Sequence, residues 1–193
     1  MSENKINYGL SKCFYAVATI HTSGTASYST PVALPGAINL SLSQEGSTTP
    51  NYGDNIVWYE TVANNGYSGS LELYNIPKSF ESAILGNYVD KYGNYTELAD
   101  VEPVHFALLF QFDGDAHETQ HIFYNCIASR PDVASQTKED SISPATKTIN
   151  ITARTILDST TNKNIVRMKT SDTTPTTISS AWFTTVQFPA ATT

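Results

Sequence analysis

The sequence predicts a mainly β protein, a β-sandwich or small barrel with one short α-helix on its flank. Three observations point there. Nearly every segment that looks ordered alternates polar and apolar residues with period two, as a strand with one buried face does. Turn signals rich in Asn, Asp and Gly separate these segments. Only one stretch carries apolar residues at helical spacing. At 193 residues the chain is expected to be one domain (1–193) with an N-terminal arm, long loops and a C-terminal tail.

"KCFYAVATI" (12–20) opens as a mostly apolar strand. "AINLSLS" (37–43) alternates, with Ile38, Leu40 and Leu42 on one side and Asn39, Ser41 and Ser43 on the other. "NIVWYETVANNGYSGSLELYNI" predicts a hairpin turning at Asn64-Asn65-Gly66. That pairing keeps Ile56, Trp58, Leu71 and Leu73 on one face and Tyr59, Thr61, Ser68, Ser70 and Glu72 on the other. A register shift of two residues leaves the sorting unchanged. "PKSFESAILG" is the one helix. Pro77 suits its first turn, Phe80, Ala83 and Ile84 share a face, and Gly86 stops it. "VHFALLFQF" and "HIFYNCIAS" around "DGDA" give a second hairpin, 104–112 with 118–128. "TKTINITAR" (146–154) and "AWFTTVQF" (181–188) complete the strands. Ser/Thr/Pro/Gly-rich stretches at 21–36, 43–54, 129–145 and 170–180 predict loops longer than connection requires. Loops of that length are usually functional or disordered.

"HETQH" (117–121) matches the zinc-protease motif H-E-x-x-H, which works only on a helix, where residues four apart share a face. Here it falls on a hairpin. On a strand, His117 and His121 would stand about 13 Å apart, too far to bracket one tetrahedral ion. The other histidines, His21 and His105, both lie upstream. "DGD" with Glu118 lacks the spacing and the closing bidentate Glu of a calcium loop, and reads as a turn. No nucleophile elbow or phosphate-cradling glycine loop occurs. Trp58 and Trp182 are expected in a core or interface rather than as sugar platforms. No enzyme, metal or cofactor is predicted.

Net charge is −7, from 18 acidic and 11 basic residues, and no cluster of five Lys/Arg occurs. Specific nucleic-acid binding is therefore not expected. The start lacks an apolar secretion core, and no window approaches the 18 apolar residues of a membrane span, so neither is expected. Cys13 and Cys126 sit in apolar runs and are expected as buried free thiols. The sequons at Asn94 and Asn150 carry little weight in a chain not expected to be secreted.

The side of the strands opposite the core is unusual. It repeats small neutral polar groups: Asn39, Ser41, Ser43; then Thr61, Ser68, Ser70; then Thr148, Asn150, Thr152. A solvated sheet face ordinarily carries more Lys and Glu. Such a face suits either plain exposure or the wall of a water-filled channel.

"YSTPVALPGAINLSL", "DNIVWYETVANNGYSGSLELYNIP", "FALLFQFDGD", "YNCIASRP" and "TKEDSISPATKTINITAR" resemble, in order and spacing, the major tail (tail tube) proteins of long-tailed, non-contractile phages of Gram-positive hosts. The likeness runs from about Tyr8 to Phe188, and "ANNGYSG" followed by "IP" and a short helix is its most telling part. It implies a structural protein that self-assembles into hexameric rings, stacked into a tube that encloses the tape-measure protein and later conducts DNA. Tail terminator and distal tail proteins would close the ends. Assembly would occur in the host cytoplasm, and the product would be the virion tail. The extra C-terminal immunoglobulin-like domain of some relatives is not expected here. With such a tube, the lumen would be lined by Asn39, Ser41, Ser43, Thr61, Ser70, Glu72, Thr148, Asn150 and Thr152. Arg154, the misfit on that face, would be paired with a carboxylate or turned into an interface. The loop at 44–54, with Gln44, Glu45, Thr49, Pro50, Tyr52 and Asp54, would be an inter-subunit arm. Six copies at −7 give −42 per ring, which disfavours sticking of DNA in transit. A carbohydrate-binding or adhesin β-module is the alternative, and it would need an aromatic platform.

Overall fold

The computed structural model describes residues 9–114, 118–133 and 145–191. The first strands are β1 (Leu10–Ile20), β2 (Ala26–Tyr28), β3 (Val32–Ala33) and β4 (Ala37–Glu45). Next come β5 (Thr48–Gly53), β6 (Ile56–Val62), β7 (Gly66–Leu73) and helix α1 (Lys78–Ala83). A small pair, β8 (Tyr88–Val89) and β9 (Tyr95–Thr96), precedes the long β10 (Phe106–Phe112) and β11 (Gln120–Ala128). Then follow β12 (Lys147–Arg154), β13 (Ile156–Asp158), β14 (Lys163–Ile165), β15 (Arg167–Lys169) and α2 (Thr176–Ala181).

One antiparallel sheet dominates, ordered β2-β1-β10-β11-β12-β7-β4, with β3 added to β1 and β15 to β11. It curls until β1 touches β4. Between them an apolar seam remains, lined by Leu10, Cys13, Leu34 and Ala37. The result is an open barrel. Its interior holds the inward residues of every long strand, among them Tyr15, Phe106, Leu108, Leu71, Leu73, Ile149 and Ile151. Phe80 of helix α1 and Ile84, which caps its C-terminus, are both fully buried in the same cluster. Each such side chain contributes about 1.5–3 kcal/mol of burial. The predicted helix is therefore present, with Pro77 before its first turn and Gly86 at φ 72 ending it.

A second core lies on the outer side of β1, β10 and β11, where Ala107, Leu109, Ile122 and Tyr124 meet Trp182 and Val186. It exposes a missed period. The predicted strand 181–188 is instead the end of α2 and the turns after it. Ile178, Trp182 and Val186 recur every four residues and all belong to this core. Read from 181 alone the same stretch merely alternates; read from 178 it is helical. So the described residues contain two short helices, not one.

The predicted 56–73 hairpin is also wrong, although its turn residues do turn the chain. Strand β6 pairs with β5, and β7 pairs with β4 on one side and β12 on the other. The reversal between β5 and β6 is at Asp54 and Asn55, with φ 50 and 63. Positive φ at both central residues is what a two-residue hairpin turn of matching twist needs. Asn64-Asn65-Gly66 returns the chain to the sheet, with the Gly66 amide donating to Asn64 Oδ1 at 3.1 Å. Ile56 and Trp58 therefore stay exposed instead of entering the core. Ile38 also leaves its expected face, because the β4–β7 register slips between Ala37 and Asn39.

The other strand predictions hold, including the β10–β11 hairpin. The predicted loops are partly ordered: 21–36 contains β2 and β3, 43–54 contains the end of β4 and all of β5, and 170–180 contains most of α2. The N-terminal arm at 1–8, most of the 129–145 loop and His117 lie outside the described residues. Cys13 and Cys126 are free and buried, and burial pushes both thiols up to about 12.

Candidate functional site

Strands β4, β7 and β12 are consecutive neighbours, and their register aligns the small polar residues in rows. Asn39 stands beside Glu72 and Glu72 beside Thr148; Ser41, Ser70 and Asn150 form the next row; Ser43, Ser68 and Thr152 the third. Side chains alternate across a strand, so this three-by-three patch faces out while Leu40, Leu71 and Ile149 face the barrel interior. Eight of the nine residues expected on one wall come together here. Thr61 does not: it pairs with Thr49 on the β5–β6 ribbon, away from the patch. Glu72 is not simply solvated, since its Oε1 accepts from Thr146 Oγ1 at 2.6 Å. A bulge in β11 opposite Phe106–Leu108 resets the alternation, and Ile127 comes to stand beside Thr152. The patch therefore ends against an apolar side chain.

The second feature is the β5–β6 ribbon. It leaves the sheet after Glu45 and returns at Gly66, which are themselves paired. Every residue of β6 is exposed, and so is every residue of β5 except Gly53. Trp58 is 73 % exposed, Tyr52 71 % and Val62 72 %, with Ile56, Val57 and Tyr59 also open. Of the residues expected to form an arm, Thr49, Pro50 and Tyr52 lie on β5 and Asp54 in its turn, whereas Gln44 and Glu45 are the last rungs of β4. The stronger half of the ribbon, 56–62, was missed by placing it in the core hairpin. The Asp54-Asn55 pair was the available signal.

Arg154 ends β12 on the polar face and is paired, as expected, with a carboxylate. Its Nη1 lies 2.6 Å from Glu45 Oε2 and donates to Asn65 O at 2.7 Å. Glu45's carboxyl is held below its usual range by hydrogen bonds from Ser68 and then Arg154.

His121 stands on β11, with its ring stacked on Phe110 at 5.0 Å and 6°. No group of three or more metal-ligating residues occurs among the described residues. Replacing His121 by Ala should cost about 1 kcal/mol of stability through the lost ring contact. Zinc content, measured by elemental analysis, should not change between the two proteins.

These features are two surfaces without chemistry, a wall of hydroxyls and amides and a projecting apolar ribbon. A search of curated proteins finds no match. A family model described as phage tail tube protein does match, over residues 37–174. That stretch begins at the first residue of β4 and ends just before α2, so it contains the ribbon and all three strands of the polar patch. The match covers well over half of the chain, and the family is structural rather than enzymatic: the chain belongs to the phage tail tube protein family, and its place is in the virion tail.

Proposed function

We propose that the chain forms six-membered rings which stack into the tube of a long, non-contractile tail, on a phage of a Gram-positive host. The polar patch of β4, β7 and β12 lines the bore, and the β5–β6 ribbon reaches onto a neighbouring subunit. The observation that carries this reading is the ribbon. A two-stranded hairpin is marginal by itself in water, and this one holds Trp58, Tyr52 and Val62 in solvent. Contiguous exposed apolar surface of this kind marks an interaction site. In a self-assembling family the partner is another copy. A head-to-tail contact closes into a ring when the rotation per subunit is right, and a second such contact stacks the rings.

The bore encloses the tape-measure protein during assembly in the host cytoplasm and passes DNA afterwards without binding it specifically. Tail terminator and distal tail proteins cap its two ends. Small neutral groups keep that wall hydrated, and the net charge of −7 per subunit keeps DNA from adhering. Trp58 and Tyr52 would equally serve a glycan platform, and a glycan screen on the soluble protein separates that reading from subunit contact.

The test is to replace residues 46–65 by Asn-Gly, a two-residue turn that suits the paired ends Glu45 and Gly66. The shortened chain should stay folded and monomeric at concentrations where the parent protein gives long tubes in negative stain. Normal tubes from the shortened chain would remove the arm assignment.

A further inference from the structure

We propose that Arg154 is a positioning residue for assembly, bracing the base of the β5–β6 ribbon, where it leaves and re-enters the sheet, so that the ribbon projects in one direction. The inference rests on the reading of the ribbon as an inter-subunit arm. The ribbon is not a continuation of the sheet ladder. The β4–β7 pairing ends at Glu45 and Gly66, and the β5–β6 pairing starts at Thr48 and Val62. The joint between them is Gly46, Ser47 and the 63–65 segment. It holds two backbone bonds, Ala63 N–H to Ser47 O at 3.0 Å and Asn65 N–H to Glu45 O at 2.8 Å. Those bonds tie one leg to the other. The second also ties the returning leg to the end of β4 in the sheet.

Arg154 adds a side-chain link from a third strand, β12. Through one nitrogen its guanidinium reaches Glu45, the last residue of β4 from which the ribbon departs, and Asn65, the residue before the returning leg enters β7. Between residues 46 and 65 the chain has no Lys or Arg, so the ribbon has no cation of its own with which to replace it. Both partners are partly exposed, at 46 % for Arg154 and 38 % for Glu45, and such a pair adds little to global stability. Its effect is on direction. A ribbon already aimed at its neighbour loses less conformational freedom on docking than one that swings about Gly46.

The experiment compares Arg154→Met, Arg154→Lys and Glu45→Gln in the full chain. Amide exchange is read on the unassembled protein, so that no neighbour contributes, and the critical concentration for tubes is read by sedimentation. Arg154→Met and Glu45→Gln should each speed exchange across 48–62 relative to 147–153 and raise the critical concentration about tenfold. Melting temperature should move by about 2 °C or less. Arg154→Lys, which keeps a cationic donor, should recover most of the assembly. Wild-type critical concentrations for both charge-removing variants would overturn the inference. So would weakened assembly with unchanged ribbon exchange, because Arg154 would then act by direct contact with a neighbour. Tubes from the chain lacking 46–65 would instead overturn the arm reading itself, whatever the Arg154 variants do.

Discussion

Adding one methyl group at Gly66 should destabilise the protein more than removing most surface side chains would. Gly66 is buried at the point where the ribbon re-enters the sheet, with φ 103. That region is all but closed to residues with a Cβ. A Cβ there would also stand 2.0 Å from the carbonyl oxygen of Ala153 on β12. Gly69, three residues further on, has the same problem against the other neighbour: its Cβ would meet Ser41 O on β4 at 1.8 Å. In both cases the obstacle is backbone, so relief requires separating hydrogen-bonded strands. Gly66→Ala and Gly69→Ala should each cost about 3 kcal/mol or more, the upper end of overpacking effects. For a chain of this size that is a drop of about 6–12 °C in melting temperature. Gly93→Ala is the control. Gly93 has φ 83 but nothing within 4 Å of a new Cβ, so only the backbone term of about 1–2 kcal/mol applies. Equal melting shifts for all three variants would mean that close strand approach is not what excludes the methyl groups.

The glycines show what the sequence carried and what it hid. Alternation in 39–43, 66–73 and 146–154 assigned residues to the inner or outer side of their own strands as the structure has them, because side-chain direction depends on parity alone. It could not say which strands are neighbours. Asn64-Asn65-Gly66 is a strong turn signal, and the shortest way to satisfy it pairs β6 with β7. The chain instead satisfies Asp54-Asn55 locally and pairs β7 with β4, which precedes it across the whole ribbon. Eight of the nine proposed wall residues still share one face of β4, β7 and β12 despite that error, because they lie on strands whose parity was right, while Thr61 depended on the pairing and lies elsewhere. Trp58 was expected in a core or an interface; its place on the core face of the 56–73 hairpin failed with that pairing, and it stands exposed in the isolated chain. Alternation does not distinguish burial against the same subunit from burial against another. Ile38 and Asn125 show a further limit, since both sit at irregularities that shift parity by one residue. Nothing in the local composition announces those bulges.

Ser70 should be far less reactive to a bulky reagent inside an assembled tube than in the free subunit. It occupies the middle of the polar patch, flanked by Ser41 and Asn150, and is half-buried in the isolated chain. A cysteine fits there with little disturbance, and both native thiols are buried with their ionisation suppressed, so the new one would be the reactive group. If the patch lines the bore, a bulky disulfide reagent can reach it only through the tube ends. In end-capped tubes Ser70→Cys should then react at least about tenfold more slowly than in monomers, because exchange rates depend on access. A cysteine at Tyr92, 76 % exposed on the turn between β8 and β9, is the comparison for a site away from the patch. The charge variant tests the same wall by function. Ser70→Lys should fold, yet in the proposed six-membered ring it would place six cations where DNA phosphates would pass within a Debye length of about 8 Å. Slower DNA ejection from particles carrying Ser70→Lys, alongside protection of Ser70→Cys in capped tubes, is the expected pair of results. Equal labelling of Ser70→Cys in capped tubes and monomers would put the patch on the outer wall, and the hydroxyl rows would then be an ordinary solvated face.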